Sequence, residues 1–315
     1  MRLSIPGFVD LQVNGFRGVE FASERLTAEA FRATARALFE RGTAAFLATV
    51  VTGPEAMYRH SLPVIARVLA EEEFQGRILG IHLEGPFISP RTGAVGAHPP
   101  EHVRAPDMAF FDRLMEWSLG SVRILTLAAE PEGAEALARH AAARGVVVSL
   151  GHELAEEAEQ ERLARAGARA LTHLGNGIPN ILPRHPNPIW SALANDALFM
   201  MVIGDGHHLP RSTLKAMIRA KGVERSAVVS DAFALAGMPP GEYDILNNHV
   251  ILEPSGRLYN PEKNCLVGSS LTLLECMNFL ASTGDFTLEE MLALGFYNPL
   301  RLIGVSPVEL TAGTT

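Results

Sequence analysis

The sequence predicts an α/β protein, a (β/α)8 TIM barrel of the kind in which each strand is followed by a helix. Short runs rich in Val, Ile, Leu and Ala recur along the chain, and amphipathic stretches of helical period separate them. This alternation is typical of repeated βα units around a buried parallel sheet. The length of 315 residues suits one such barrel, whose usual size is about 250 residues.

The predicted elements alternate in strict order. The eight strands are short apolar runs, as expected of parallel strands that are buried on both faces, and they cover residues 5–13, 45–51, 78–83, 122–128, 146–150, 168–173, 199–203 and 227–230. The helices between them are predicted from amphipathic periodicity at residues 28–41, 55–71, 108–117, 133–143, 154–166, 191–196 and 212–220.

The pattern changes after the eighth strand. Turn signals at Asn247-Asn248 and at Pro254-Ser255-Gly256 separate β-prone pieces and predict a small hairpin near residues 243–260. Helices resume at 270–282 and 288–296, and a capping box of Thr287 and Glu290 announces the second of them. No composition shift marks a second domain, so we predict one barrel domain over residues 1–315, with the hairpin as an insertion.

Charge and composition exclude several classes of partner. The chain has 27 Lys plus Arg against 35 Asp plus Glu, a net charge of −8, and a nucleic-acid partner needs a basic face instead. No segment approaches the roughly 18 apolar residues of a membrane helix, and the first ten residues do not resemble a signal peptide. We therefore predict a soluble, cytoplasmic protein without a membrane partner. Cys265 and Cys276 are too few for a disulfide framework and are interpreted as core residues.

Polar residues follow the predicted strands, at the end of a barrel that carries catalytic groups. One carboxylate and two imidazoles stand out, Glu84, His152 and His173. These are ligand types that hold a divalent metal with positions left open. Each histidine alone is better explained as a hydrogen-bonded barrel residue, but the three residues together predict a metal site. His82 shares a strand face with Glu84 because side chains alternate, so a supporting position beneath the ligand is predicted for it.

Asp231 ends the last predicted strand. A buried carboxylate without a cationic neighbour in sequence is costly, which favours function over a simple turn or N-cap role. We interpret it as a general base that takes a proton from the attacking water and passes it to a leaving group.

Eight segments occur in one order along the chain: Pro6-Gly7-Phe8-Val9-Asp10-Leu11-Gln12-Val13-Asn14-Gly15, His82-Leu83-Glu84-Gly85-Pro86-Phe87, Gly96-Ala97-His98, Gly151-His152, Thr172-His173-Leu174-Gly175-Asn176, Asp205-Gly206-His207-His208, Ser230-Asp231-Ala232 and Gly268-Ser269-Ser270-Leu271-Thr272. This ordered set resembles the N-acetylglucosamine-6-phosphate deacetylase family of the amidohydrolase superfamily, over residues 4–305. The resemblance implies metal-dependent hydrolysis of the N-acetyl group of N-acetylglucosamine 6-phosphate to glucosamine 6-phosphate and acetate.

The resemblance also implies roles for individual residues. Glu84, His152 and His173 would bind the metal, Asp231 would be general base and then general acid, and His98 would polarise the acetyl carbonyl. The simpler alternative for His98 is an ordinary loop histidine. Gln12 and Asn14 stand where many amidohydrolases have a His-x-His pair for a second metal. Since amides are poor ligands, one metal per subunit is expected, with zinc first and iron, manganese, cobalt or nickel as alternatives. Gln12 and Asn14 are expected instead to support the site by hydrogen bonds within the barrel mouth.

A phosphate-binding site is implied in the same way. Backbone N–H groups of Asn176 and Gly177 resemble the family's phosphate cradle, with His208 and Arg184 as its side chains. The family's arginine reaches across a dimer interface, so a homodimer is expected. A solvated loop charge is the alternative interpretation of Arg184.

Two departures from the family pattern keep other functions open. The β-sandwich domain usual in the family is expected to be absent or vestigial, because Met1 lies almost at the first strand and the chain stops at Thr315. The segment Leu174-Gly175-Asn176-Gly177-Ile178 lacks the aromatic residue usual in the family. An amidohydrolase acting on another N-acyl amine or a cyclic amide, and a non-catalytic sugar-phosphate-binding paralogue, remain as alternatives.

Overall fold

The computed structural model describes residues 5–245 and 248–310. Its strands, in chain order, are β1 (Phe8–Val13), β2 (Gly15–Phe16), β3 (Val19–Glu20), β4 (Thr43–Val51), β5 (Ile78–Glu84), β6 (Val122–Leu127), β7 (Val147–Leu150), β8 (Ala168–Leu171), β9 (Phe199–Ile203), β10 (Ser226–Val229), β11 (Gly241–Ile245), β12 (Asn248–Leu252), β13 (Leu258–Asn260) and β14 (Cys265–Leu266). Eight of them, β1 and β4 to β10, pair in sequential order, and each pair is parallel. The predicted (β/α)8 barrel is thus confirmed.

The helices cover the outside of this barrel and follow its strands. They are α1 (Ala28–Glu40), α2 (Glu55–Leu69), α3 (Met108–Trp117), α4 (Ala134–Ala142), α5 (Glu157–Arg165), α6 (Pro188–Ala194), α7 (Arg211–Lys221), α8 (Leu273–Thr283), α9 (Leu288–Leu292) and α10 (Asn298–Leu302). The capping box predicted at Thr287 and Glu290 is present at the start of α9. Within the described ranges, no helix is both long and apolar enough to span a membrane.

Three predicted helix starts are wrong for local reasons. The helix predicted from 270 begins at Leu273, because Thr272 acts as its N-cap and forms a capping box with Glu275. The chain stays extended before α5, because Glu156 acts as N-cap and forms a capping box with Glu159. The helix predicted at 191–196 begins earlier, since the Asn187 side chain accepts hydrogen bonds from the first turn of α6 and Pro188 occupies its first position.

The barrel closes between β1 and the end of β10. The buried carboxylate of Asp10 accepts the backbone N–H of Ser230 at 3.1 Å and the hydroxyl of Ser230 at 2.5 Å. Val13 forms a parallel bridge with Ala232 just beyond β10. Apolar residues from alternate strand positions fill one end of the barrel together with Phe296 of the C-terminal helical region. The polar residues described below occupy the other end.

The sheet near residues 243–260 is larger than the predicted hairpin. Four antiparallel strands, β11 to β14, form it, and the predicted Pro254-Ser255-Gly256 turn lies between β12 and β13. The other predicted turn, at Asn247-Asn248, includes Asn247, which lies outside the described residues. Cys276 is buried as expected, but Cys265 is only half-buried on β14, where it lines a cavity; its interpretation as a core residue is wrong.

Candidate active site

The three predicted metal ligands meet at the mouth of the barrel. Glu84 ends β5, and His152 and His173 lie just beyond β7 and β8. One carboxylate oxygen of Glu84, Oε1, lies 2.8 Å from His173 Nε2 and 3.2 Å from His152 Nε2. All three side chains are buried. Residues that are 68 and 89 positions apart in sequence are thus brought together by the parallel order of the strands.

The protonation pattern of this cluster fits a bound cation. His152 Nδ1 lies 2.8 Å from the carbonyl oxygen of Ala94, so Nδ1 carries the proton and Nε2 presents its lone pair when the ring is neutral. That lone pair faces a carboxylate oxygen, and two acceptors at this distance require a proton or a cation between them. Burial raises the pKa of Glu84, but the neighbouring His152 and His173 side chains outweigh burial and hold the pKa well below its usual value. The donor set is one that divalent metals accept.

His98 belongs to the same cluster. Its Nε2 lies 3.2 Å from His152 Nε2, and ligand atoms of Glu84, His98 and His152 all lie within 4.8 Å of one another. His98 is buried, and burial, together with the nearby His152, lowers its pKa to about 3. The loop histidine singled out by the resemblance is therefore a neutral, buried imidazole beside the predicted ligands, and not a solvated surface group.

Three of these residues have left-handed backbone. The φ angles of His152, His173 and Asp231 are 51°, 30° and 53°. Each follows a barrel strand, and an L-residue in this conformation costs roughly 1–2 kcal/mol. Such strain is found where surrounding structure forces it, often at active sites. The turn at the end of each strand ends the extended backbone just where the functional side chain is needed.

Asp231 lies in the same mouth. Its Oδ1 accepts a hydrogen bond from Asn14 Nδ2 at 2.7 Å, so Asn14, predicted as a supporting residue, holds the proposed base directly. Burial first, and then the charge of Glu84, raise the pKa of Asp231 to about 7. No Lys or Arg contacts either carboxylate among the described residues. A cation bound between them would lower both pKa values and offset the cost of burying two carboxylates.

Gln12, the other residue in the place of a His-x-His pair, is fully buried. Neither polar atom of its side chain has a hydrogen-bond partner in the part of the chain that the structure describes. The expected hydrogen bonding in the barrel mouth is therefore seen for Asn14 and not for Gln12.

A hydrogen-bonded polar layer lies beneath the cluster. His82 Nδ1 lies 3.0 Å from the carbonyl oxygen of Leu11, and His82 Nε2 lies 2.7 Å from Thr126 Oγ1. Thr172 Oγ1 lies 2.7 Å from Thr126 Oγ1 and 2.6 Å from Ser149 Oγ. Since a carbonyl only accepts, the donors run from Ser149 through Thr172 and Thr126 to His82. Burial lowers the pKa of His82 to about 4, which keeps the ring neutral, as this order requires.

A cavity of about 420 Å³ opens above the cluster. Its base is formed by Glu84, His98, His152, His173 and Asp231, one wall by Asn176, Gly177 and His208, and the rim by Arg257, Tyr259, Asn264 and Cys265 of the small sheet region. A cavity that combines a polar base with hydrogen-bonding groups on its wall, here Gly177 and His208, is typical of a small-molecule site.

The predicted phosphate cradle differs in one donor. The backbone N–H of Asn176 donates to the carbonyl oxygen of His173 at 3.0 Å, and the side-chain amide of Asn176 donates to the same oxygen at 3.2 Å. The expectation that the Asn176 N–H points to a ligand is not met, because the tight turn after His173 uses it. No described residue accepts from the N–H of Gly177, which lies on the cavity wall.

His208 is oriented by a buried carboxylate. Asp205 Oδ2 lies 2.7 Å from His208 Nδ1, and Asp205 Oδ1 accepts the backbone N–H groups of His207 and His208 at 2.8 and 2.9 Å. Burial raises the pKa of Asp205, but these hydrogen bonds outweigh burial and lower it to about 2. With Nδ1 engaged, His208 has Nε2 left for a ligand in the cavity that it lines.

Arg184 does not line this cavity. It lies exposed in the loop before α6, where its carbonyl oxygen accepts a hydrogen bond from Trp190 Nε1 at 3.2 Å. Within one chain, the structure therefore does not bring Arg184 together with the other predicted site residues.

Glu153 is a buried carboxylate beside the site that the sequence did not single out. It follows His152, it is buried, and its carboxylate accepts the N–H of Ala129 at 3.0 Å and the side-chain amide of Gln160 at 2.9 Å. Burial raises the pKa of Glu153 to about 8. It ties the loop after β7 to the loop after β6 and to α5, next to a predicted ligand. The sequence shows an acidic residue at a strand end but not its burial.

Fold and site together define a hydrolase of the amidohydrolase type, a (β/α)8 barrel whose mouth holds a Glu/His cluster able to bind a metal. No family model matches the sequence. The N-acetylglucosamine-6-phosphate deacetylase of Bos taurus is 34% identical over 313 residues, covering 95% of this chain and 74% of the bovine protein. The N-acetylgalactosamine-6-phosphate deacetylase of Escherichia coli O157:H7 is 30% identical over 307 residues, covering 97% of this chain and 79% of that protein.

A solved structure agrees with these relatives. An Asp-to-Ala mutant of the N-acetylglucosamine-6-phosphate deacetylase of Mycobacterium smegmatis, in complex with N-acetylglucosamine 6-phosphate, superposes with a TM-score of 0.87 at 26% identity, covering 96% of this chain and 78% of that one. The chain belongs to the N-acetylglucosamine-6-phosphate deacetylase family.

Proposed function

We propose that this protein hydrolyses the N-acetyl group of N-acetylglucosamine 6-phosphate to give glucosamine 6-phosphate and acetate. One observation carries the proposal: Glu84, His152, His173 and Asp231 converge at the mouth of the barrel, on a fold shared with a deacetylase that binds this sugar phosphate. The 4-epimer, N-acetylgalactosamine 6-phosphate, is a second candidate substrate, because a relative of comparable identity is named for it.

Glu84, His152 and His173 would hold one divalent ion. We propose zinc, and iron, manganese, cobalt and nickel are alternatives that the same ligand types accept. When bound, such an ion supplies a Lewis acid that polarises the amide carbonyl and makes water more acidic. The donor set supports this assignment, as do the two buried carboxylates, which no Lys or Arg contacts among the described residues.

Asp231 and His98 would move the proton and stabilise the developing charge. Asp231 accepts a proton from the attacking water and later delivers it to the departing amine nitrogen as the C–N bond breaks. Asn14 engages only Oδ1 of Asp231, which leaves Oδ2 for this exchange. His98, neutral and buried, donates a hydrogen bond to the carbonyl oxygen as it gains negative charge.

Gly177 and His208 would hold the 6-phosphate. Gly177 and His208 both line the cavity. The Gly177 N–H has no acceptor among the described residues, and His208 keeps Nε2 for a ligand. A histidine protonated on both nitrogens donates to Asp205 and to a phosphate oxygen at once. Substrate preference for the phosphate ester would originate at these two residues.

Arg184 would complete that site from a second subunit, in a homodimer. Its exposure outside the cavity of its own chain supports this proposal, as do the exposed neighbours Ile181 and Trp190, at 89% and 56% of their accessible surface. Mixing inactive Asp231→Asn and Arg184→Ala proteins tests it. If each site combines Asp231 of one subunit with Arg184 of the other, every heterodimer contains one intact site and acetate release is restored. If each site is complete within one chain, the mixture stays inactive.

The substrate experiment compares acetate release from four compounds by metal-replete protein: N-acetylglucosamine 6-phosphate, N-acetylgalactosamine 6-phosphate and the two unphosphorylated sugars. The proposal predicts a much higher kcat/KM for at least one phosphate ester than for its parent sugar. Equal or absent turnover of all four would favour another N-acyl amine, a cyclic amide or a non-catalytic paralogue. The retained Glu84, His152, His173 and Asp231 argue against the last of these. The cytoplasmic location stays a prediction, which cell fractionation tests.

A further inference from the structure

One loop surrounds His152 on several sides. In the segment 89–98, the N–H of Ser89 donates to the His152 carbonyl oxygen at 3.0 Å, and the carbonyl oxygen of Ala94 accepts from His152 Nδ1 at 2.8 Å. A Cβ atom on Gly96 would lie only 3.1 Å from His152 Cε1, so the backbone passes directly against the ring. This loop fixes both the tautomer and the orientation of the imidazole.

The same loop ends at His98, whose Nε2 faces the metal-binding nitrogen of His152. The distance between the two Nε2 atoms, 3.2 Å, equals the distance from His152 Nε2 to Glu84 Oε1. The ligand atoms of Glu84, His98 and His152 are mutually within 4.8 Å, the spacing of groups that share one ion. The His98 side chain is buried, and its other nitrogen, Nδ1, has no partner among the described residues.

We propose that His98 is a fourth protein ligand of the metal in the substrate-free enzyme, bound through Nε2, and that it leaves the metal when the phosphorylated sugar binds. The inference rests on the proposed function, since it concerns the same ion. A site closed by four protein ligands is typical of structural metals, whereas a catalytic site keeps a position open. Catalysis therefore requires His98 to vacate its position, after which its N–H is free for the acetyl carbonyl.

The loop has the means to move and a contact that links it to the substrate. Gly93 and Gly96 have φ angles of 87° and 59°, and glycine can change between positive and negative φ with little steric cost. A Cβ atom on Gly93 would lie 2.6 Å from Pro179 Cα, so the loop packs tightly on the segment that follows Gly177. A phosphate bound at Gly177 would displace this contact and, through the loop, His98.

The first test measures binding of Zn²⁺ alone to substrate-free protein, by competition with a chelator. His98→Gln keeps an amide that can donate to a carbonyl but is a poor metal ligand. We expect its Zn²⁺ affinity to fall by at least about tenfold, the lower end of what outer-shell partners alone contribute. The matched control is His102→Gln, the same change four residues further along the chain but outside the cavity lining, and it should bind as the wild type does. Unchanged affinity in His98→Gln would overturn the inference.

The second test follows the coordination geometry of the bound ion, and not its affinity. The visible spectrum of the Co²⁺-loaded wild type reports coordination geometry, and glucosamine 6-phosphate is added as the probe. We expect the spectrum to change on addition, and that of His98→Gln to resemble the sugar-bound wild type from the start. Identical spectra of wild type and His98→Gln without sugar would refute four-ligand binding, while the proposed function would stand if acetate release persists. A wild type that binds neither ion would refute both.

Discussion

Gly177→Ala is a sharp test of how the active-site loops hold a metal ligand. A Cβ atom on Gly177 would lie 2.8 Å from His152 Nδ1 and 3.0 Å from His152 Cε1 and Cγ. Atoms in ordinary contact are about 3.5–4.0 Å apart. The imidazole must therefore move by about 0.5–1 Å, away from Glu84 or out of its hydrogen bond with Ala94, and a functional constellation tolerates only about 0.5 Å.

The expected effect has two parts that a control separates. Gly177 has a φ angle of 63°, so alanine there costs roughly 1–2 kcal/mol of backbone strain. Gly145→Ala has the same strain, since its φ angle is 77°, but a Cβ atom there meets nothing within 4 Å. Both variants should lose similar stability from strain, whereas Gly177→Ala alone should bind Zn²⁺ about 10–100-fold more weakly, the scale on which ligand-orienting contacts act.

The assay is chelator-competition titration of Zn²⁺, with urea unfolding of each metal-free variant. Chelator competition measures the Zn²⁺ affinity, which depends on ligand geometry, and urea unfolding measures the free energy of unfolding, which depends on backbone strain. The two effects are therefore measured independently. Equal Zn²⁺ affinity in Gly177→Ala and Gly145→Ala would refute the claim that the loop after His173 holds His152 in place.

Three further predictions concern the base, the barrel seam and a buried lysine. Asp231→Asn keeps an oxygen for Asn14 but cannot accept a proton, so kcat should fall about 10²–10⁴-fold with Zn²⁺ content unchanged by metal analysis. Burial raises the pKa of Asp10 from 3.8 to about 6, against opposing hydrogen bonds; because the folded state binds this proton more tightly, its stabilising effect is complete below about pH 4 and lost as the pH rises through 6. Asp10→Asn should remove roughly 3 kcal/mol of that pH dependence between pH 4 and 7, measured by urea unfolding. Lys221 Nζ donates to Ala192 and Asn195 carbonyl oxygens at 2.7 and 2.6 Å; since Asn195 keeps the N–H of Leu198 as a donor, Lys221→Met should cost about 1–3 kcal/mol for the buried Ala192 carbonyl left unpaired, seen in the same assay.

Each of these predictions has a clear contrary result. A wild-type kcat in Asp231→Asn would show that Asp231 is not the general base. Parallel stability–pH curves for Asp10→Asn and wild type would mean that Asp10 ionises in the seam without penalty. An unchanged unfolding free energy in Lys221→Met would show that water reaches the Ala192 carbonyl in the variant.

The sequence predicted most of the barrel, because a parallel strand buried on both faces is a continuous apolar run and its end is marked by a polar residue. That rule located Glu84, His152, His173 and Asp231 at strand ends, and the structure brings all four together. Helix starts were less certain, since Glu156 and Asn187 cap α5 and α6 at positions that periodicity does not mark.

Features that depend on long-range approach could not be predicted. His98 meets His152 across 54 positions of sequence, through a loop without periodic structure. The positive φ angles of His152, His173 and Asp231 carry no composition signal. The use of the Asn176 N–H within its own turn follows from the backbone path alone, as does the exposure of Arg184 away from its own cavity.

The proposed function requires a metal held by Glu84, His152 and His173. The most direct measurement strips the protein of metal and then follows acetate release from N-acetylglucosamine 6-phosphate while Zn²⁺ is added back in measured equivalents. We predict negligible activity in the stripped protein and a linear rise that ends at one equivalent per chain. Full activity without metal would contradict this requirement. So would the absence of acetate release from both phosphorylated epimers at every Zn²⁺ occupancy.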